Sequence, residues 1–269
     1  MKPSFQLSPK KRAFLAGTLL LTGAGFACRV LGFFYRIYLS RTIGAEGLGL
    51  YHMLHPVFGI CFALCAGSIQ TALSQLIASH TEKGRSIFRT GLLISMTMSF
   101  VLAFLICRQA EFLAAFILME PQCAPYLPVM GIAIPFAAFH ACINGYYYGV
   151  QKSKVPAFSQ IAEQAVRMAL VFALAGYWVG QGKEITVMLA VVGHLIGEIA
   201  SAAFTLLCLC TSPPQARLQG NPGPCQRPDG SGDGAFFNTS VTAALMSLAL
   251  PLMGNRLVLN ILAGAEAIW

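Results

Sequence analysis

The feature that most constrains this chain is a succession of long apolar runs separated by short polar connections. They cover roughly 13–37, 48–78, 87–107, 126–150, 156–180, 185–210 and 240–266. Each supplies the approximately 20 residues that an α-helix needs to cross a hydrocarbon core about 30 Å thick. Lipid offers no hydrogen bonds, so a spanning segment must bond its own backbone, and an isolated run can do that only as a helix. Of the 269 residues, 56% are hydrophobic and 10% are charged. A soluble domain carries about 25% charged residues, so an ordinary globular enzyme is excluded. The aromatic and branched content likewise excludes a disordered chain. The expected fold class is an all-α polytopic membrane protein.

Orientation follows from the basic residues. With the N-terminus in the cytoplasm, the inner side holds Lys2, Lys10, Lys11, Arg12, Lys83, Arg85, Arg89, Lys152, Lys154, Arg217 and Arg227. The outer side holds only Arg41, Arg108 and Lys183, and Arg29, Arg36, Arg167 and Arg256 fall within spans. This asymmetry predicts a multi-pass protein of the cytoplasmic membrane with its N-terminus inside. Lys10–Arg12 followed by Ala13–Ala27 has the layout of a signal peptide. Phe26 is too bulky for the cleavage site, however, and the apolar run resumes after Arg29, so we read the segment as a retained first helix. On this topology Cys123 is external and Cys225 cytoplasmic, which makes labelling of the two a test.

The net charge of +8 does not indicate a nucleic-acid partner, because the basic residues sit between spans and form no stripe interleaved with aromatics. Nine scattered cysteines without a CxxC make a poor disulfide framework. His52, His55, Cys61 and Cys65 match no zinc spacing, so no metal or other cofactor is expected. HExxH, GxSxG and paired aspartates are missing, which disfavours an enzyme. Thr211–Asn238, rich in Pro, Gly and polar residues, reads as a linker dividing six helices from a seventh. Ala110–Glu120 is too short to span and is expected in the interface.

Charges inside the spans are the candidate functional residues. An arginine at a helix centre costs about 2.5–3.5 kcal/mol to insert, so it needs a partner or an aqueous cavity. Arg29 and Arg36 are two turns apart, about 10 Å along one helix face that Gly32 shares. Two such guanidinium groups suit a diphosphate. The other reading has Arg36 reaching the outer interface and Arg29 pairing with a buried carboxylate. Glu163 and Arg167 have i,i+4 spacing, which fits a structural ion pair as well as a substrate contact. Glu198, four residues after His194, either carries a coupling proton or neutralises an arginine. His140 reads as a hydrogen-bonded packing residue.

Gly44, Gly47 and Gly49 form no nucleotide loop, for no strand precedes them and no phosphate-binding lysine follows. A tight turn and a small-residue packing surface are expected instead. Gly145 and Gly149 have GxxxG spacing with the same packing meaning. Pro128, Pro135, Pro156 and Pro251 are expected to start or kink helices.

Three blocks carry a resemblance: RVLGFFYRIYLSRTIGAEGLGLYHM at 29–53, NGYYYGVQKSKVPAFSQIAEQAVR at 144–167, and ALPLMGNRLVL at 249–259. The chain resembles the stage V sporulation protein B family of polysaccharide biosynthesis (oligosaccharide flippase) proteins. That family lies within the multidrug/oligosaccharidyl-lipid/polysaccharide exporter superfamily and is more distantly similar to lipid II flippases. The resemblance implies two six-helix lobes around a cavity that opens alternately to the two sides of the membrane. It implies residues 1–210 as the N-terminal lobe, 211–238 as a cytoplasmic linker and 239–269 as the first helix of the second lobe. The chain is then an N-terminal fragment whose cavity needs the missing lobe or a second copy.

Carried over by position, Arg29 and Arg36 match the cavity-facing basic residues of the first helix. Arg256 opens RLVLN as Arg29 opens RVLGF, a weak echo between the halves. The implied activity is movement of a polyprenyl-diphosphate-linked sugar, a cell-wall or spore-cortex precursor, across the bilayer. A cation-coupled multidrug exporter and a non-transporting scaffold for spore-envelope assembly stay open as alternatives.

Overall fold

The computed structural model describes residues 9–182, 185–211 and 239–268. All the elements among them are helical. The first is α1 (Pro9–Phe62), 54 residues that include a single non-helical position at Gly44. A straight helix of that length would measure about 80 Å, far more than a bilayer core. Gly44 adopts φ 77° and ψ 174°, a conformation that a side chain resists, and this breaks α1 into two arms. The GAEGLGLY turn is therefore made by one of its three glycines. Gly47 sits tightly against Ile43 and Val187, and Gly49 faces open space.

A π-helical turn, Ala63–Gly67, joins α1 to α2 (Ser68–Ser79). Side chains meet the carbonyls that this looser turn exposes: Ser68 donates to the Ala63 carbonyl at 2.9 Å, and Ser95 donates to the Cys65 carbonyl. There follow α3 (Gly84–Arg108), the short α4 (Ala110–Phe112), α5 (Leu127–Gly149), α6 (Lys154–Gly180), α7 (Met188–Thr211) and α8 (Thr239–Ile268). Five described helical stretches are long and apolar enough to span a membrane. The first of them, Leu15–Ser79, holds both arms of α1 together with α2, so it accounts for two of the seven expected runs. The expected sixth span, α6, is not among the five; it carries Glu163 and Arg167. The segment 212–238, the expected linker, lies outside the described residues.

The central helix is α5, 16 of whose 23 residues are buried. It packs against α2, α3 and α7, while α6 packs against α1 and α7. Close approach of α5 to α2 depends on the Gly145/Gly149 pair. A Cβ on Gly145 would lie 2.8 Å from the Gln70 carbonyl oxygen, and one on Gly149 would lie 2.7 Å from Ile77 Cβ. Of the expected prolines, Pro128 lies in the first turn of α5 and Pro156 near the start of α6, whereas Pro135 and Pro251 lie inside α5 and α8. A further proline, Pro56, lies inside α1.

Helix α8 runs along α1 and α2. Leu245, Ala249 and Met253 join Ile69, Leu73 and Ile77 in one apolar cluster. Further along, polar side chains replace the apolar ones. Asn260 fills the notch left by Gly59, and the Arg256 guanidinium fills the notch left by Gly67.

Ala110–Glu120 folds as α4 and a second π-turn, Leu113–Ile117. Ala110, Ala114 and Leu118 face inward, while Phe112, Phe116 and Met119 are exposed. The placement of Cys123 corrects its expected use as a topology marker. Its side chain is fully buried, and burial, with Glu120 nearby, pushes the thiol up to about 11. Since the thiolate is the reactive form, Cys123 is expected to resist maleimide at pH 7–8 in the native protein. Exposed Cys107 is expected to react. Single-cysteine versions labelled before and after denaturation check this, and fast native labelling of Cys123 would contradict the packing around it.

Candidate functional site: a buried charge network and an exposed arginine face

Glu198 lies on α7 and is 5% exposed, and four polar groups on three helices surround it. From α5, His140 Nε2 lies 2.8 Å from Glu198 Oε2. From α6, Arg167 Nη2 lies 3.7 Å from Glu198 Oε1 and bonds directly to Glu163 one turn earlier. From α7 itself, His194 Nε2 lies 3.8 Å from Glu198 Oε1. The i,i+4 pairs 163/167 and 194/198 thus converge on a single network, and His140 belongs to it rather than to the apolar packing.

Helix α6 approaches α7 closely because Gly193 and Gly197 bracket these side chains. A Cβ at Gly193 would meet Val171 Cγ2 at 2.3 Å, and one at Gly197 would meet Arg167 Nε at 3.0 Å. This is a third GxxxG spacing, present in GHLIGE but not singled out in the sequence. A network with two carboxylates and one guanidinium in a membrane helix bundle is costly unless every charge is matched, so its partners must be held firmly.

The network reaches α1 from both arms. Tyr35, buried on the first arm, points its hydroxyl towards Gly193 and has no hydrogen-bond partner among the described residues. On the second arm His55 Nδ1 accepts no free solvent position; it lies 3.0 Å from the Tyr51 carbonyl, and its ring is 5.7 Å from that of His194. His52 lies next, with 5.9 Å between ring centres. Phe58 packs edge-on against His194 at 4.7 Å. Several buried polar atoms remain unpartnered among the described residues: both ring nitrogens of His194, Arg167 Nε and Asn144 Oδ1. His140, Glu163 and Glu198 bring one ligand atom each within 4.8 Å of one another. The Arg167 guanidinium already serves both carboxylates, so a divalent ion would have to displace it.

Arg29 and Arg36 behave differently. Both are exposed on the first arm of α1, and neither forms an ion pair among the described residues. The buried carboxylates pair with Arg167 and His140, not with Arg29. Around the two arginines lie exposed Phe26, Val30, Phe33 and Phe34. Arg256 is half-buried on α8, and its Nη2 donates to Thr71 Oγ1 at 3.0 Å. The structure therefore unites Glu163, Arg167, His194 and Glu198, and leaves Arg29, Arg36 and Arg256 outside that network.

Comparison with known proteins gives a consistent family. Residues 14–268 match the family described as polysaccharide biosynthesis protein. Stage V sporulation protein B of Bacillus subtilis (strain 168) is 31% identical over 203 residues, covering 74% of this chain and 39% of the relative. Lipid II flippase MurJ of the same organism is 22% identical over 167 residues, covering 57% of this chain and 31% of that protein. This chain thus spans about two fifths or less of these relatives. The fold matches a MOP superfamily transporter from Pyrococcus furiosus Vc1 with a TM-score of 0.68 at 14% identity, over 92% of this chain and 53% of that one. A multidrug resistance MATE family transporter in its outward-facing conformation matches with a TM-score of 0.64 at 11% identity, over 92% of this chain and 53% of that one.

Proposed function

The chain belongs to the polysaccharide biosynthesis protein family, and from that premise we propose that it is the N-terminal lobe of a lipid-linked oligosaccharide flippase. In this reading residues 1–210 form the lobe, 211–238 a cytoplasmic linker and 239–269 the opening helix of a second lobe. The N-terminus is cytoplasmic, and the cavity is completed by a second lobe or a second copy of the chain. The substrate is a polyprenyl-diphosphate-linked sugar used in the cell wall or spore cortex.

The observation that carries the reading is the pair Arg29 and Arg36. Two exposed guanidinium groups without ion-pair partners, two turns apart on a membrane helix, require an anion or water. A diphosphate presents oxygens to both at once, and each bidentate contact is charge-assisted. Arg256 contributes a third positive charge from the helix that begins the second lobe. Substrate enters with the cavity open to the cytoplasm, the arginines neutralise its headgroup, and the polyprenyl tail stays in lipid. Closure and opening on the other side release it.

The experiment is headgroup flipping in proteoliposomes by a two-lobe form of the protein. Arg29→Ala is expected to slow flipping by about tenfold or more, as expected for loss of one charge-assisted contact worth roughly 1.5–3 kcal/mol. Flipping at the unaltered rate would remove the arginine from the mechanism. Efflux of cationic drugs without flipping would instead support the exporter alternative. Neither activity in a well-folded protein would leave the scaffold.

A further inference from the structure

We propose that the buried network is a reversible proton-binding site, reached from the outer half of α1 by a line of imidazoles: His52, His55 and His194, leading to Glu198 and His140. The proton resides on His140 Nδ1. This goes beyond the arginine face, and it uses none of the residues assigned to substrate.

Charge and orphaned atoms argue for the site together. With His140 neutral, Glu163, Glu198 and Arg167 sum to one negative charge in a sealed position; with His140 protonated the four groups sum to zero. In the structure Asn144 Nδ2 lies 3.5 Å from His140 Nδ1 while Asn144 Oδ1 has no partner. A proton on Nδ1 and a half-turn of the Asn144 amide would give Oδ1 a donor, and His140 would then donate from both nitrogens, to Asn144 and to Glu198. Oxygen and nitrogen of an amide exchange places by such a turn without moving the helix.

The path rests on a separate observation. His194 is 4% exposed, and neither of its ring nitrogens has a partner, although the ring stands between His55 and Glu198. Ring centres are 5.9 Å apart from His52 to His55 and 5.7 Å apart from His55 to His194. Spacings of that size are bridged by one water between nitrogens, which is what the two orphaned atoms of His194 call for. Because imidazole can accept at one nitrogen and release from the other, a proton entering at half-buried His52 can move inward through the series, each ring returning to neutral afterwards.

The titratable and charged groups facing the network come from every packed element. They are Cys28, Tyr35 and Arg36 on the first arm of α1, Tyr51, His52 and His55 on the second, His140 on α5, Glu163 and Arg167 on α6, and His194 and Glu198 on α7. Arg167 disfavours a lasting positive charge on its neighbour His194, which suits a ring that passes a proton on, while His140 is bonded directly to the carboxylate that holds it.

The test is nitrogen-15 NMR of the histidine-labelled 269-residue chain in lipid nanodiscs between pH 9 and pH 5. Signals are assigned by loss of each in single His→Gln variants. His140 is expected to pass from singly to doubly protonated as the pH falls. A His140 that keeps one protonation state throughout overturns the site. In His194→Phe the end states of His140 are expected to persist while its proton exchange with water slows at least tenfold; exchange at the wild-type rate overturns the path. His55→Phe interrupts the same line at another point and serves if the first variant misfolds. No step of this readout depends on transport, so its failure would leave the flippase reading standing, and failure of flipping would leave the proton site standing.

Discussion

Arg167→Met is expected to be among the most destabilising single changes in this protein. It leaves Glu163 and Glu198 facing each other without the guanidinium that bonds one and lies 3.7 Å from the other. Breaking a buried pair by removing one partner costs about 3–5 kcal/mol, because the remaining charge stays desolvated. Here two carboxylates are affected. Thermal unfolding in detergent, followed by circular dichroism, should show a large drop in midpoint. The informative variant is the triple change Arg167→Met with Glu163→Gln and Glu198→Gln, which removes the orphaned charges as well. It is expected to recover most of the loss, since a neutral network of similar volume avoids the desolvation penalty. If the triple variant is no more stable than the single one, packing of the Arg167 stem against Gly197, rather than charge, holds α6 to α7.

Gly145→Leu is the second change expected to have a large effect. The added Cβ alone would sit 2.8 Å from the Gln70 carbonyl oxygen and 3.2 Å from Gln70 Cα. Those atoms belong to the backbone of α2 and cannot rotate away, so the two helices must separate. Overpacking typically costs about 1–3 kcal/mol, and more where backbone must move. Gly176→Leu is the control, since nothing lies within 4 Å of a Cβ there. Folded yield from membranes and size-exclusion profile should fall sharply for position 145 and stay near wild type for position 176. Equal behaviour of the two would mean that α2 and α5 do not pack as described.

How far the sequence reveals these features depends on whether the information is local. Apolar runs of sufficient length disclosed the helices and a break near Gly44, because span length and glycine conformation are properties of a few adjacent residues. The i,i+4 spacings of Glu163 with Arg167 and of His194 with Glu198 were visible for the same reason. Their convergence was not. His140 meets Glu198 across 58 residues, and whether α5 turns that side chain towards α7 depends on helix rotation, which periodicity in a nearly uniformly apolar helix does not encode. Tyr35 and His55 were missed likewise, although Gly193 and Gly197 did mark the place where α6 and α7 come close. The arginines divide along the same line. Their presence inside spans was plain, but that Arg167 is enclosed while Arg29 and Arg36 face outward is a matter of tertiary packing.

The π-turn at Ala63–Gly67 has a consequence for how such a helix can change over evolutionary time. A turn of this kind holds one residue more than the α-helical path around it, and it separates two stretches of one long helix that serve different neighbours. Upstream, Tyr51, Leu54 and Cys61 belong to the cluster beside the network; downstream, Ile69, Leu73 and Ile77 belong to the cluster shared with α8. Losing a single residue in the turn would restore a regular helix and rotate everything beyond it by about 100°. Ile69, Leu73 and Ile77 would leave α8 together, and Gly67 would no longer present its notch to Arg256. Substitutions can therefore accumulate on either side of the turn independently, but a one-residue deletion within it couples both neighbourhoods at once, so chain length there should be far less free to vary than residue identity.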